Sequence, residues 1–171
     1  MDSILSPRVG DEDFFDSLLV FCLTKAEAQD PRIERGKYLV TVISCSDCHT
    51  NGALIGKPDM AHFLAGSEIG FAIPGLGYFY GPNLTPDPET GLGSWTTVQI
   101  VTAITQGVRP DGRILAPTMP WHSYAHLTPT DAEAMALYLQ SLPPVKHKVP
   151  GPFGKAEKPT APYMTVVMPT P

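Results

Sequence analysis

Apolar positions recur at helical spacing in three stretches of the chain. The first opens at Asp30-Pro31, an N-cap type of residue followed by a proline at the first helical position, after which Ile33, Gly36, Val40 and Ile43 share one face. This predicts a helix that buries one stripe and runs toward Ser44. The second stretch runs from about Trp95 to Gln106, with Val98, Val101 and Ile104 read as the inner face and Gly107 just past the end. The third begins at Thr128-Pro129-Thr130-Asp131, which repeats the cap-and-proline arrangement and puts Asp131 at the third helical position, an acidic variant of the capping box. Met135, Tyr138, Leu139 and Leu142 then follow at i, i+3, i+4 and i+7, until Pro143-Pro144 stops the helix.

The stretches between and after these helices have a different grammar. A glycine-rich insertion (Gly66, Gly70, Gly75, Gly77) reads either as a lobe over part of a site or as a plain surface loop. Eight of the 19 prolines fall between Pro143 and Pro171, a density that disfavours both helix and central strand, so residues 146–171 read as an extended tail. The chain therefore divides into a leader (1–28), a mainly α-helical domain (29–145) and a proline-rich tail (146–171).

Composition narrows the class. A chain of 171 residues, 43% hydrophobic and 17% charged, suits one compact domain with irregular flanks. No run approaches the roughly 18 apolar residues of a membrane-spanning helix, and a net charge of −5 argues against nucleic acid as the main partner. That charge is unevenly spread: −5 over residues 1–30, −3 over 31–145 and +3 over 146–171. In the leader, the apolar run Leu18 to Leu23 precedes Ala26-Glu27-Ala28, a small-x-small pattern of the kind signal peptidase cleaves, while Asp11-Glu12-Asp13 is the wrong charge for a signal peptide. Cleavage after Ala28 would leave a nearly neutral chain and remove Cys22, one of three cysteines.

The two remaining cysteines lie in Cys45-Ser46-Asp47-Cys48-His49. Cys-x-x-Cys-His is the attachment signature of c-type haem: two thiols add to the haem vinyl groups and the adjacent imidazole becomes an axial ligand. A thioredoxin-like redox pair needs a strand before its Cys-x-x-Cys, whereas here a helix precedes it; a zinc site needs a second Cys or His pair at ligand spacing, and the only other cysteine, Cys22, sits in the leader. The motif therefore predicts one covalent haem c held through Cys45 and Cys48, with His49 on the iron.

With a helix entering Cys-x-x-Cys-His, Gly81-Pro82-Asn83-Leu84, Met119-Pro120 and a last helix ending Tyr-Leu-Gln-Ser-Leu-Pro-Pro, residues 31–145 resemble a class I, monohaem cytochrome c. The runs Asn83 to Gly91, Trp95-Thr96, Gly107 to Arg113 and Met119-Pro120-Trp121 resemble a single module of the cytochrome c subunits of bacterial membrane-bound alcohol and gluconate dehydrogenases. Those subunits typically hold three haems; this chain has one Cys-x-x-Cys-His. The resemblance implies a class I cytochrome c fold, with helices and long loops around one haem.

The sixth ligand is expected to be Met119, because the flanking Pro117 and Pro120 stiffen its loop and the resemblance assigns the axial thioether to this position. Met135 fits the core stripe and Met60 a loop; His62, His122, His126 and His147 are the bis-histidine alternatives. The resemblance also implies that the Pro82 carbonyl faces the other nitrogen of His49, fixing its tautomer. Asn83 belongs to the same segment, and Tyr80, Trp95 and Arg109 are candidates for bonds to the haem propionates. The expected role is that of a periplasmic single-electron carrier with no chemistry on a substrate, taking electrons from a dehydrogenase and passing them to an oxidase or another cytochrome. A bound subunit of a dehydrogenase complex is the alternative, with Tyr163 to Met168 as a docking strand; a haem sensor or peroxidase is a third.

Overall fold

The computed structural model describes residues 30–169. The leader, its cleavage site after Ala28 and Cys22 lie outside them.

Helix α1 (Pro31–Val42) begins where the Asp30 side chain accepts the Arg32 backbone N–H at 2.9 Å. It packs against α5 (Pro129–Ser141), and the two meet at Gly36. A β-carbon there would lie 1.9 Å from the carbonyl oxygen of Ala134, so the position admits only hydrogen. Leu39 and Val40 of α1 join Ala132, Met135, Ala136 and Leu139 of α5 in the core.

At the start of α5 the Thr128 hydroxyl accepts the Asp131 N–H at 3.1 Å, but the Asp131 carboxylate returns no bond to the Thr128 backbone N–H. It takes Arg35 of α1 at 2.8 and 3.3 Å instead, because a two-point bond to a guanidinium outcompetes an exposed backbone N–H. The acidic capping box expected there is thus half formed, and its other half is an ion pair between helices.

Helix α3 (Thr97–Gln106) starts two residues later than Trp95, where Thr96 and Gln99 form a full capping box. Its buried face is Ile100, Ala103 and Ile104, while Val98 is 73% exposed. Of the expected Val98–Val101–Ile104 face, Ile104 is in the core and Val101 packs against it, but Val98 points out, because steps of three residues drift about 60° each around a helix of 3.6 residues per turn. Two short helices complete the α-helices among the described residues: α2 (Cys45–His49) follows Ser44, whose φ is 59°, and α4 (Trp121–Tyr124) lies against α3.

The mainly helical expectation needs one correction. The glycine-rich insertion forms a hairpin of β1 (Gly70–Ile73) and β2 (Gly77–Tyr80), with Ile73 opposite Gly77 across its turn. The proline-rich tail supplies both outer strands: β3 (Phe153–Gly154) pairs with β2 and β4 (Tyr163–Met164) pairs with β1, in the order β3-β2-β1-β4. Pro152 and Pro162 lie just outside these two-residue strands, so the missing N–H groups fall beyond the pairing.

Candidate functional site

Ser44 reverses the chain after α1 and sets Cys45 and Cys48 on a single turn, with His49 at its end. His49 is only 7% exposed. Its carbonyl accepts the Gly66 N–H at 2.8 Å, and the side chain of the next residue, Thr50, accepts the Leu64 N–H at 3.0 Å. On the other side the Gly81–Pro82 segment presses so close that a β-carbon on Gly81 would lie 1.8 Å from the Cys48 carbonyl oxygen. This contact brings the Pro82 carbonyl to 2.8 Å from His49 Nδ1. A carbonyl only accepts, so Nδ1 carries the proton and Nε2 keeps its lone pair. Burial pushes the imidazole pKa down and holds the ring neutral, against the Pro82 carbonyl, which pulls the other way.

These groups line a cavity of about 600 Å³, within the roughly 300–1,000 Å³ range of small-molecule and cofactor sites. The wall is apolar, with Leu84, Leu92, Ile100, Ile104, Met135 and Leu139 contributing to it. Cys45 and Cys48 both line it as free thiols, Cys45 raised to about 11 by burial and Cys48 raised also, chiefly by burial and then by Asp47. Tyr124 stands against both thiols, its hydroxyl pushed to about 12, mainly by burial.

Met119 lines the cavity from the loop before α4. Met135 lines it too, but is 1% exposed within the core of α5. Met60 sits on the surface, 61% exposed, as do Met164 and Met168. None of the four alternative histidines lines the cavity. His62 bonds to Asp59, His122 stacks on Trp121 with ring centroids 3.4 Å apart, His126 is exposed, and His147 Nδ1 meets the Ala65 carbonyl at 2.7 Å.

The remaining expected residues separate. Trp95 and Arg109 both line the cavity, with the guanidinium 5.0 Å over the indole. Tyr80 lines it, yet its hydroxyl proton goes to the Ala161 carbonyl at 2.9 Å. Asn83 also lines the cavity, but it is 1% exposed and its amide is spent inside the protein, donating to Thr90 Oγ1 and the Val145 carbonyl and accepting from the Thr85 N–H and hydroxyl. Its place is that of a buried brace in the cavity wall.

Sequence reasoning passed over Arg113, the hairpin residues Phe71 and Phe79, and the tail residues Lys148 to Pro152, all of which reach the cavity. The arginine pair carries a signal: Arg113 is held below its ordinary pKa by burial and then by Arg109. Asp111 serves both, 3.4 Å from the Arg109 side chain and bonded to the Arg113 N–H at 3.0 Å. With Asp111 paired to the Arg109 guanidinium and bonded only to the backbone of Arg113, two guanidiniums beside one acid leave room for further anionic charge. Two thiols, a neutral buried imidazole, a thioether, an apolar wall and paired guanidiniums are together the donor set that a haem with its two carboxylates requires.

A model of the cytochrome c family matches residues 33–143. The chain is 36% identical over 137 residues to the fructose dehydrogenase cytochrome subunit of Gluconobacter japonicus, covering 76% of this chain and 26% of that protein. It is 37% identical over 120 residues to the alcohol dehydrogenase (quinone) cytochrome c subunit of Gluconobacter oxydans, covering 70% and 23%. With the gluconate 2-dehydrogenase cytochrome c subunit of Pantoea cypripedii it shares 32% identity over 146 residues, covering 85% and 30%. The chain thus spans about a quarter of the length of these relatives. From the motif, the cavity and the match over its helical body, the chain belongs to the cytochrome c family.

Proposed function

We propose that this chain is a periplasmic single-electron carrier built around one covalent haem. Membership of the cytochrome c family implies a covalently bound c-type haem, and a single Cys-x-x-Cys-His supports a count of one. Cys45 and Cys48 would hold it by thioether bonds, and His49 and Met119 would bind its iron. When bound, its iron takes up and releases one electron.

The observation that carries this reading is the 2.8 Å approach of Pro82 to His49 Nδ1 in a cavity that also holds two free thiols and Met119. The Pro82 carbonyl fixes the tautomer that directs the Nε2 lone pair outward, and so orients the ligand before the metal arrives. The apolar wall excludes water, which keeps the surroundings from reorganising when the charge changes. The arginines at the cavity balance the carboxylates of the cofactor.

The relatives are named as cytochrome subunits of dehydrogenases, which favours a dehydrogenase as electron donor and supports a second reading, a subunit held in such a complex. Electrons would then pass to an oxidase or another cytochrome. Location in the periplasm follows from where bacteria attach haem c; no helix among the described residues is long and apolar enough to cross a membrane. The test is periplasmic expression followed by a reduced-minus-oxidised spectrum. A c-type spectrum with haem that survives denaturation supports the reading, and haem-free protein with an intact Cys45-x-x-Cys48 overturns it.

A further inference from the structure

The family match ends at residue 143, yet the cavity wall does not. Val145 is tied on both sides, its carbonyl accepting Asn83 Nδ2 at 2.7 Å and its N–H donating to Thr85 Oγ1 at 3.0 Å. The His147 N–H donates to Thr90 Oγ1 at 3.0 Å and its ring meets Ala65. Val149 then packs onto Gly66, where an added β-carbon would stand 2.4 Å from Val149 Cγ1. Beyond this crossing the chain is pinned to the hairpin by β3 and β4 and by the Tyr80 hydroxyl on Ala161.

Between these anchors, Lys148, Val149, Pro150, Gly151 and Pro152 face the cavity. Their chemistry suits a lid over an apolar group. Two of the five carry no backbone N–H, so fewer donors go unsatisfied against a hydrophobic ligand, and the proline rings limit the entropy lost in ordering the segment. Lys148 is the cation in the set. Lys146 pairs with Glu89 at 2.6 Å, whereas among the described residues Lys148 has no carboxylate within ion-pair distance.

We infer that residues 146–164 are a strap that closes one side of the haem cavity and raises the reduction potential, Val149 with the two prolines by excluding water and Lys148 by its charge. The inference rests on the haem reading above. Adding an electron lowers the positive charge of the iron centre, so a drier wall and a nearby cation both favour the reduced state. No bond forms or breaks; the strap biases an equilibrium set by the redox partners.

The test compares full-length holoproteins by spectroelectrochemical titration. With Lys148→Gln, the reduced-to-oxidised ratio at fixed ambient potential should fall about two- to threefold, and with Lys148→Glu by about the square of that factor. Val149→Asp, which puts a carboxylate and its water into the wall, should lower the ratio about tenfold, equivalent to about 59 mV for a one-electron couple. Lys158→Gln, an exposed lysine of the same segment away from the cavity, should leave the ratio unchanged. Equal shifts for Lys148→Gln and Lys158→Gln, or no shift in either Lys148 variant, overturn the inference. If Val149→Asp fails to mature, the lysine series alone decides it. Failure of the unsubstituted chain to attach haem overturns the haem reading itself, a distinct outcome.

Discussion

Pro82 presents its carbonyl oxygen 2.8 Å from Nδ1 of His49, 33 positions earlier in the chain. What holds the two together is Gly81, whose missing side chain lets its backbone lie against Cys48. In Gly81→Ala a β-carbon would fall 1.8 Å from the Cys48 carbonyl oxygen, so the segment must move away and the bond to His49 is lost. We expect a severalfold fall in the yield of mature haemoprotein. In the fraction that matures the potential should rise, because an imidazole without this acceptor is a poorer donor to oxidised iron. Haem-stained yield and redox titration check the two outcomes separately.

Met119 and Met135 both reach the cavity, and they differ in what holds them. Met119 sits between prolines in a half-buried loop, where its loss removes little packing; Met135 is buried at 1% exposure in the core. Met119→Ala is expected to abolish the sulfur–iron absorption band and lower the potential while changing stability little in the apoprotein. Met135→Ala should keep the band and cost about 2–5 kcal/mol in urea unfolding, the range for removing a buried methionine side chain. The reverse pattern would assign the ligand to Met135.

How much of this was legible in the sequence depends on how local the cause is. The Asp30-Pro31 and Thr128-Pro129 starts are decided by a cap and the next residue, so composition at two positions suffices. Cys45, Cys48 and His49 share a single turn, and their spacing alone brings them together. The inner face of α3 was harder, since Val98 and Ile100 are equally apolar and only packing against α5 and α4 chooses between them. The tail was hardest. Its prolines forbid long strands, yet nothing near Phe153 or Tyr163 announces that two-residue pairings await them on a hairpin that reaches back to Tyr78 and Gly70. Asn83 was legible as important, but its amide serves Thr85, Thr90 and Val145, partners up to 62 positions away.

Acid should loosen the contact between α1 and α5 before it reaches the core. The Arg35 guanidinium holds the Asp131 carboxyl below its ordinary value of 3.8, with the Thr128 hydroxyl a smaller help. A carboxylate with a depressed folded pKa lends stability that is fully present above the unfolded value and is lost as pH falls through the folded one. Asp131→Asn keeps the backbone N–H that Thr128 caps and removes only the charge. The variant should therefore melt lower than the parent at neutral pH, and the gap in Tm should close as pH drops below about 4. A gap that stays constant down to pH 2 would show that the pair contributes nothing.

Asn83 ties the strap to the body of the domain, and its removal should act there first. The side chain satisfies four partners while fully buried: Thr90 Oγ1, the Val145 carbonyl, the Thr85 N–H and the Thr85 hydroxyl. In Asn83→Ala water cannot fully replace these bonds, since Thr85 is 1% exposed and its N–H has the Asn83 oxygen as its partner. A buried group left without a partner costs about 1–3 kcal/mol, and Val145 is then held by Thr85 Oγ1, which accepts its N–H at 3.0 Å and donates to its carbonyl at 3.3 Å. The first consequence is local, because residues after Val145 reach the domain through a handful of hydrogen bonds and two two-residue pairings, whereas α1 and α5 share the apolar core. Hydrogen exchange should thus speed up in residues 146–164 and in β1 and β2 well before it does in α5. Uniform acceleration across the chain would mean that Asn83 braces the whole domain, with no particular hold on the strap.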